Sequence, residues 1–466
     1  LLGAYLVRAV TVYIVTVFGH DLGVRVEADM REDIFRKVQS LSFSFFDRHR
    51  TGKLMSRMTT DLFDITELAH HGPENLLQAG LTIVGALIIL LTIRWELALI
   101  LIALVPVLLL IMVVLRTRLR RSSLGVKAEM AEINTAVESG VSGVRTVKAF
   151  ANENAELDKF EVSNQRFKRA KRQYYRNFGL FNSSIEFTMA LMQLTVITAG
   201  GYYIMRGRMD LADLVAFSLY VSTFTMPIRK LVSFFEMFQS GSAGFLRFLE
   251  IMRTEPDVKD APDAVDIGAV RGEIEYKDVS FHYGDGPEVL RGVDLHIAPG
   301  ETLALVGPSG SGKTTLSQLL PRFYDVTGGA VLVDGKDVRT VTQDSLRRNI
   351  GIIQQDVFLF ADTIRENVTF GREVDDRMLR RAAKDAMARG FIEGYEDAYD
   401  HEAAIHGANF SGGQKQRLLI ARALAADPEI LILDDASSAL DYRTDAELRK
   451  AIRDHHGEAT TVVIAQ

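Results

Sequence analysis

Five long runs of apolar residues occupy the first half of the chain. They cover residues 1–18, 76–93, 97–115, 187–205 and 211–228. A helix of about 20 residues crosses the roughly 30 Å hydrocarbon core of a bilayer, although any single run could equally be a buried helix of a soluble protein. Five such runs, two of them separated only by Arg94-Trp95-Glu96, predict a helical domain embedded in a lipid bilayer.

Basic residues cluster at one side of these runs, at 116–121, 168–176 and 229–230. The positive-inside rule places those ends in the cytoplasm and the turns at 94–96 and 207–210 outside. This orientation puts Leu1 outside and already within an apolar run. We therefore expect one further helix before Leu1, so that the chain carries five of six membrane helices.

The two cytoplasmic connections, 20–75 and 116–177, have mixed charge and few helix breakers. A helix of about 25 residues is roughly 38 Å long. The connections are thus predicted to be pairs of helices that project from the membrane, with turns at their tips. We expect these tips at 61–68 and 150–157.

The composition changes after a segment at 251–270 that contains Pro256 and Pro262 and lacks apolar periodicity. Beyond it, β-rich runs alternate with amphipathic helices, which predicts an α/β domain. The expected strands cover 272–282, 293–297, 301–306, 330–333, 349–353, 429–433 and 460–465. We expect a membrane domain at 1–250, a linker at 251–270 and a nucleotide-binding domain at 271–466. Asp334-Gly335 predicts a hairpin, and Thr444 with Glu447 predicts a capping box.

The sequence GPSGSGKTT follows an apolar run that is predicted to be a buried strand, and it precedes a predicted helix. This order is the P-loop pattern, in which glycines let backbone N–H groups turn towards phosphate oxygens. Lys313 is expected to reach the β- and γ-phosphates and Thr314 to bind Mg²⁺, so ATP and Mg²⁺ are the predicted cofactors. The expected nucleotide-binding residues of the loop are Gly307, Ser309, Gly310, Ser311, Gly312, Lys313, Thr314 and Thr315.

Two further motifs complete the candidate site. The apolar run at 430–433 ends in Asp434 and Asp435, of which the first is expected to hold Mg²⁺ and the second to orient the attacking water. A second anion-binding turn opens a predicted helix. Its residues are Ser411, Gly412, Gly413 and Gln414. One nucleotide does not need two distant phosphate cradles, so the second turn is expected to face the nucleotide of another subunit.

Composition removes several alternatives. The net charge of −6 over 466 residues gives no argument for a nucleic-acid partner. Cysteine is absent, which excludes disulfides and thiolate metal sites.

Together, the motifs GPSGSGKT, FSGGQ, ILILDD and SALD resemble those of the ATP-binding cassette (ABC) transporter family, and the resemblance covers essentially the whole chain. A membrane domain fused ahead of the cassette is similar to the exporter class. The resemblance implies an all-α transmembrane domain of the type IV exporter kind, followed by an α/β P-loop domain. It implies an ATPase-coupled transporter that works by alternating access on an unknown amphipathic or apolar substrate. It also implies the bacterial plasma membrane, with the nucleotide-binding domain in the cytoplasm.

The resemblance implies roles for single residues as well. Tyr283 would stack on adenine, Gln355 would lie near Mg²⁺ and the attacking water, and Asp441 would communicate between the two ATP sites. The turn at 411–414 would contact the γ-phosphate held by the opposite subunit. The tips of the cytoplasmic helices would dock on the cassettes.

Two positions depart from the family pattern. Asp435 stands where the family has glutamate, and Gln466 stands where it has a histidine. Displacing a catalytic group by about 1 Å can cost on the order of a hundredfold in rate, and glutamine does not titrate near neutral pH. Because the P-loop and the turn at 411–414 are intact, the chain resembles the degenerate-site subunit of a heterodimeric multidrug-type exporter.

Several alternatives stay open. A heterodimer with a second ABC exporter subunit is expected, and a homodimeric exporter of lipid, drug or peptide is the other possibility. An ATP-gated channel of the same fold is a third. A soluble repair or chromosome-type P-loop ATPase would not need five apolar runs. Since a cassette normally continues beyond a strand such as 460–465, we also expect C-terminal truncation.

Overall fold

The computed structural model describes residues 2–223, 225–436 and 439–465. The chain divides into two compact units. The first contains Leu1–Glu32 and Thr59–Phe248, and the second contains Asp33–Met58 and Leu249–Gln466.

Helices make up the first half of the chain. Their bounds are α1 Leu2–Gln39, α2 Phe43–Arg48, α3 Thr51–Met58, α4 Thr60–Ser142, α5 Val144–Ala149, α6 Glu153–Met205, α7 Leu211–Thr223 and α8 Thr225–Arg253. Among the described residues, Leu2–Gln39, Thr51–Ser142 and Glu153–Met205 are long and apolar enough to cross a membrane, and Leu211–Thr223 is a shorter apolar helix. The predicted helical membrane domain is confirmed.

Helix α4 contains two of the predicted spans. Its backbone leaves the helical region at Arg94, where φ is −156° and ψ is 101°. This extended residue lies within the predicted turn at 94–96. The apolar runs on either side pack with α6 and α7 around a core that includes Leu90, Leu97, Met192 and Phe217, all at most 2% exposed.

Of the two tips predicted for the cytoplasmic connections, the first is wrong and the second is confirmed. The turn expected at 61–68 is wrong, because that stretch is the beginning of α4 and the chain instead breaks between α1, α2 and α3. Asp61 lies in the first turn of α4, where a carboxylate is favoured by the helix dipole. The second tip is confirmed, since α5 ends at Ala149 and α6 begins at Glu153.

Helices α4 and α8 approach each other closely within the first unit. A Cβ atom added at Gly241 would lie 2.7 Å from the Asp64 carbonyl oxygen, and one added at Gly244 would lie 2.9 Å from that of Asp61. Only glycine permits this approach. One turn further along α8, Arg247 donates two hydrogen bonds of 2.6 Å to the buried carboxylate of Asp61.

The second unit contains two four-stranded sheets. The strands are β1 Ile274–His282, β2 Glu288–Ile297, β3 Thr302–Val306, β4 Gly328–Val333, β5 Lys336–Asp337, β6 Ile350–Ile353, β7 Ile430–Asp434 and β8 Thr460–Ala465. One sheet is antiparallel in the order β2-β1-β4-β5, and the other is parallel in the order β3-β8-β7-β6. This is the predicted α/β architecture.

Seven α-helices accompany these sheets in the described part of the second half. They are α9 Lys313–Leu319, α10 Gln343–Arg348, α11 Ile364–Thr369, α12 Asp376–Asp385, α13 Arg389–Ile392, α14 Gly412–Leu424 and α15 Tyr442–His455.

Three local predictions can be compared with these elements. The hairpin is confirmed, since Asp334 and Gly335 have φ of 49° and 76° and connect β4 to β5. The capping box at Thr444 is wrong, because Asp441 caps α15 and accepts a hydrogen bond from the Thr444 N–H. The prediction of a buried β3 is wrong for one face, because β3 is an edge strand and Val306 is 74% exposed.

The pairing of Asp61 with Arg247 predicts a stability effect. Replacing Arg247 with alanine leaves a buried carboxylate without this partner and is expected to lower the free energy of unfolding by about 3 kcal/mol. Thermal unfolding of the purified protein in detergent measures the loss. Arg208→Ala, at an exposed position, is the matched control.

The double variant Asp61→Asn with Arg247→Ala separates charge from packing. It should be more stable than Arg247→Ala alone, because the unpaired charge is gone. Equal stability of the two variants would show that the ion pair is not what fixes α8 on α4.

Candidate functional site

The parallel sheet brings two sequence motifs to one edge. Val306 of β3 pairs with Ala465 of β8, and Ile464 of β8 pairs with Asp434 of β7. Because the strands are parallel, the P-loop after β3 and the two carboxylates after β7 meet at the same carboxyl edge. They line one cavity together with Gln355, which follows β6.

The P-loop has the backbone that its glycines require. Gly310 and Gly312 have φ of 82° and 87°, in the left-handed region where L side chains are strained. Gly312 directly precedes α9, so the first N–H groups of that helix open onto the loop. The loop is already shaped as an anion cradle.

Lys313 is held by its own loop. Its Nζ atom donates to the carbonyl oxygens of Gly307 at 2.7 Å and Pro308 at 3.0 Å. A bound phosphate would compete with these two acceptors for the ammonium group, which is the role that the sequence assigns to this lysine.

The donor set expected for Mg²⁺ lies beside the loop. The Thr314 hydroxyl is 3.4 Å from Oδ1 of Asp434, and Asp434 is 6% exposed. Burial and the neighbouring charge of Asp435 raise the pKa of Asp434, while Thr314 and Lys313 oppose this shift. A hydroxyl and carboxylate oxygens are ligands that Mg²⁺ prefers, so these residues fit the ion.

Asp435 lines the same cavity, but its backbone is unusual. Its φ is 51°, in the left-handed region that aspartate and asparagine tolerate better than most L residues. The backbone N–H of Asp435 donates to the carbonyl of Ile464 at 3.3 Å, which ties the turn to β8. The carboxylate therefore faces the cavity on a fixed turn, with one methylene fewer than a glutamate would have.

Tyr283 contacts the P-loop helix through its hydroxyl group. This group lies 3.0 Å from the Thr315 hydroxyl and donates to Gln318 at 3.1 Å. The ring packs edge-on against Phe281 and Tyr324, and it lines a neighbouring cavity rather than the one under the loop. Its stacking on adenine remains a prediction.

The first cytoplasmic segment packs against this neighbouring cavity within the second unit. The Tyr324 hydroxyl donates to the Asp47 carboxylate at 2.6 Å, and burial together with Asp47 raises the pKa of Tyr324. Phe43 stacks on Phe323 with ring centroids 4.2 Å apart. The sequence predicted that a cytoplasmic connection docks on the cassette, but nothing in it marked Asp47, Phe323 or Tyr324 as the residues in contact.

A continuous set of contacts thus joins α2 to the P-loop. Asp47 on α2 binds Tyr324, the Tyr324 ring contacts Tyr283, and Tyr283 is hydrogen-bonded to Thr315 on α9. Movement of α2 can therefore reach the nucleotide-binding loop through side chains in direct contact.

Other predicted site residues lie away from the P-loop cavity. Ser411 caps α14 and forms a capping box with Gln414, so the glycines between them begin an exposed helix N-terminus. Neither this turn nor Asp441 lines the cavity that contains Lys313. Gln466 and Ser438 lie outside the described residues.

Two family models match the chain. The model described as ABC transporter transmembrane region matches residues 1–228, and the model described as ABC transporter matches residues 290–438.

Curated relatives and a solved structure extend this likeness over the chain. The uncharacterized ABC transporter ATP-binding protein YwjA of Bacillus subtilis (strain 168) is 41% identical, over 100% of this chain and 81% of that protein. An ATP-dependent lipid A-core flippase of Syntrophus aciditrophicus (strain SB) is 33% identical, over 99% of this chain and 77% of the flippase. The structure of a bacterial Atm1-family ABC exporter with ATP bound has a TM-score of 0.80 and 27% identity, and the match covers 96% of this chain and 78% of that one.

The raised pKa of Asp434 predicts opposite effects on stability and on Mg²⁺ binding. At neutral pH the buried carboxylate is ionised, which destabilises the folded state, so Asp434→Asn should raise Tm without nucleotide. This gain should shrink as pH falls towards the ordinary value of 3.8, where the wild-type carboxyl becomes neutral in both states. In Asp434→Asn, Mg²⁺ should no longer stabilise the protein beyond the thermal stabilisation that ATP alone provides.

Thermal shift assays with ATP, with and without Mg²⁺, measure both effects. Asp454→Asn, at an exposed position on α15, is the control. An Asp434→Asn protein that keeps the full Mg²⁺ effect would contradict the assignment of Asp434 as a metal ligand.

Proposed function

This chain belongs to the ABC transporter family, and we propose that it is one subunit of an exporter dimer whose own ATP site binds nucleotide but hydrolyses it slowly. Membership of the family establishes the general activity. The protein is an ATP-hydrolysing exporter of the bacterial plasma membrane that uses ATP and Mg²⁺, with its nucleotide-binding domain in the cytoplasm.

The single observation that carries the proposal is Asp435. Its carboxylate faces the P-loop cavity from a left-handed turn, at the place where an attacking water must be oriented. The side chain is roughly one bond length shorter than glutamate, and rates fall steeply with displacements of about 1 Å. ATP binding needs only the P-loop, whose backbone is intact, so binding and hydrolysis are separable in this site.

The exposed turn at 411–414 supports a role for a second subunit. Its helix N-terminus is favourable for a phosphate, yet it does not line this chain's own P-loop cavity. ABC exporters act as dimers, and in the proposed assembly this turn completes the ATP site on the partner. With a partner that carries glutamate and histidine, that second site hydrolyses ATP at the normal rate.

Within this dimer, α2 connects ATP binding to transport. Asp47, Tyr324 and Tyr283 link α2 to the P-loop helix by hydrogen bonds and ring contacts. Closure of the nucleotide sites would move α2, and α2 belongs to the segment that matches the transmembrane-region model. Alternating access follows if that movement tilts the membrane helices.

The substrate that we propose is an amphipathic, lipid-like molecule. Two relatives at 33% and 34% identity are described as ATP-dependent lipid A-core flippases, and a third at 34% as a putative multidrug export protein. These descriptions share molecules that combine an apolar part with a polar part. They are also compatible with a homodimer, which purification of the tagged chain, described below, distinguishes from a heterodimer.

Restoring the family residues should increase turnover. Asp435→Glu together with Gln466→His is expected to raise ATPase activity of the reconstituted transporter by on the order of tenfold or more, because the carboxylate gains reach and an imidazole is added. Steady-state phosphate release in nanodiscs measures the change. Unchanged ATPase activity in the double variant would contradict the degenerate-site proposal.

The matched control is Asp278→Glu, which also lengthens an aspartate with positive φ, 48°, but outside the P-loop cavity. It reports the effect of lengthening a side chain on a strained backbone alone.

Purification of the tagged chain from its host tests the assembly. A distinct ABC subunit in equal amount supports the heterodimer, whereas a dimer of this chain alone overturns it.

Removing the Tyr324 hydroxyl should weaken coupling without weakening ATP binding. Tyr324→Phe loses the hydrogen bond to Asp47, so ATP should drive a smaller population of outward-facing transporter, while the Kd for ATP stays within about twofold because the P-loop is untouched. Spin-label distances across the membrane helices at saturating ATP measure this population. Tyr399→Phe is the control, because the buried Tyr399 hydroxyl has no hydrogen-bond partner among the described residues. A normal outward-facing population in Tyr324→Phe would rule out this contact as a coupling element.

A further inference from the structure

Three histidines from two helices meet in the first unit. His20 lies on α1 just after the first predicted span, and His70 and His71 lie on α4 shortly before the second. One ligand atom of each histidine lies within 4.8 Å of the other two. The ATP cycle proposed above uses none of these residues.

The three imidazole rings contact one another directly. Their centroids are 4.6 Å apart for His20 and His70, 5.2 Å for His20 and His71, and 4.4 Å for His70 and His71. Neutral imidazoles are the usual ligands of Zn²⁺, Ni²⁺ and Cu²⁺.

Hydrogen bonds orient two of the rings. Nδ1 of His20 lies 2.6 Å from the Thr16 carbonyl oxygen, and Nδ1 of His71 lies 3.2 Å from Oε2 of Glu74. In a neutral ring, donating from Nδ1 leaves the lone pair on Nε2. Metal-binding histidines are oriented in this way by carbonyl and carboxylate acceptors.

His70 provides an independent indication. Its Nε2 atom is buried and has no hydrogen-bond partner within the described part of the chain. A buried polar atom without a partner is destabilising, and a metal ion would satisfy it.

The packing of α1 against His70 depends on Gly19. A Cβ atom at this position would overlap the His70 ring, whereas a Cβ atom at Gly23, one turn later on the same helix, would meet no atom within 4 Å. The absence of a side chain at Gly19 is what allows the ring to sit between the two helices.

We propose that His20, His70 and His71 form a binding site for a divalent first-row transition-metal ion such as Zn²⁺. Zn–N bonds are about 2.0–2.1 Å long, so ring nitrogens within 4.8 Å converge on one ion after modest ring rotation. Glu67, whose Oε2 atom is 3.9 Å from Nε2 of His71, is a candidate carboxylate for a fourth position. A bound ion fastens α1 to α4 at the cytoplasmic ends of the first two spans.

The test measures Zn²⁺ binding to the assembled transporter in nanodiscs. The protein is purified without a polyhistidine tag, and Zn²⁺ is titrated in competition with a chromogenic chelator. We expect about one tight site per chain. His70→Ala should weaken it by on the order of a hundredfold or more, because loss of a ligand costs at least as much as the roughly 10–100-fold that loss of a ligand's outer-shell partner costs. Co²⁺ in the same site should give the visible absorption of a nitrogen-coordinated ion, and this absorption should disappear in His70→Ala.

A pair of glycine variants keeps the test decisive if a histidine variant folds poorly. Gly19→Ala displaces His70 without removing a ligand and should weaken Zn²⁺ binding, whereas Gly23→Ala makes the same change on the same helix and should not. His296→Ala, which removes an exposed histidine of the second unit, should also leave binding unchanged. The proposal is overturned if Zn²⁺ does not bind saturably, if Gly19→Ala and His70→Ala bind as tightly as the wild type, or if His296→Ala removes the site.

Discussion

The chemistry of this protein depends on the parallel alignment of β3, β8 and β7. Their register carries the P-loop and the two carboxylates to one edge of a sheet, with Ile464 of β8 between them. Ile432 and Val462, at most 5% exposed, anchor that register in the core. A shift of one residue would turn Asp434 to the other face of the sheet. The meeting of the P-loop with the two carboxylates therefore follows from the apolar packing beneath them.

The second unit shows how a nucleotide site can be coupled to the membrane part of a transporter. The segment Asp33–Met58 belongs by sequence to the region that matches the transmembrane model, yet it packs in one compact unit with the cassette. Phe43 stacks on Phe323, and the Tyr324 hydroxyl donates a hydrogen bond to the charged Asp47 carboxylate. Rigid rings transmit displacement well, because they have few rotatable bonds and pack without voids.

The parts of the structure that sequence could predict are those that local chemistry determines. Apolar runs, the P-loop and the Asp334-Gly335 hairpin each follow from a few neighbouring residues. The predictions fail where residues far apart in the sequence determine the local structure. The stretch expected to form the first tip is instead helical and packs through Asp61 against Arg247, far along the chain. One face of β3 is left exposed at Val306. No sequence motif marks Tyr324, because its contact with Asp47 on α2 forms only in the folded chain. The predicted roles of Asp435 and Gln466 depend on the second subunit and stay predictions.

The hydrogen bonds of Lys313 to Gly307 and Pro308 have a consequence for nucleotide exchange. A P-loop whose lysine has nothing to bind would carry an unsatisfied ammonium group and would tend to lose its shape whenever product departs. Here two carbonyl oxygens of the loop itself satisfy the ammonium group. A triphosphate that binds has to replace only these two contacts instead of reordering a loop. Because the same two acceptors can take the ammonium group back, the exchange of one nucleotide for another costs the loop little of its shape.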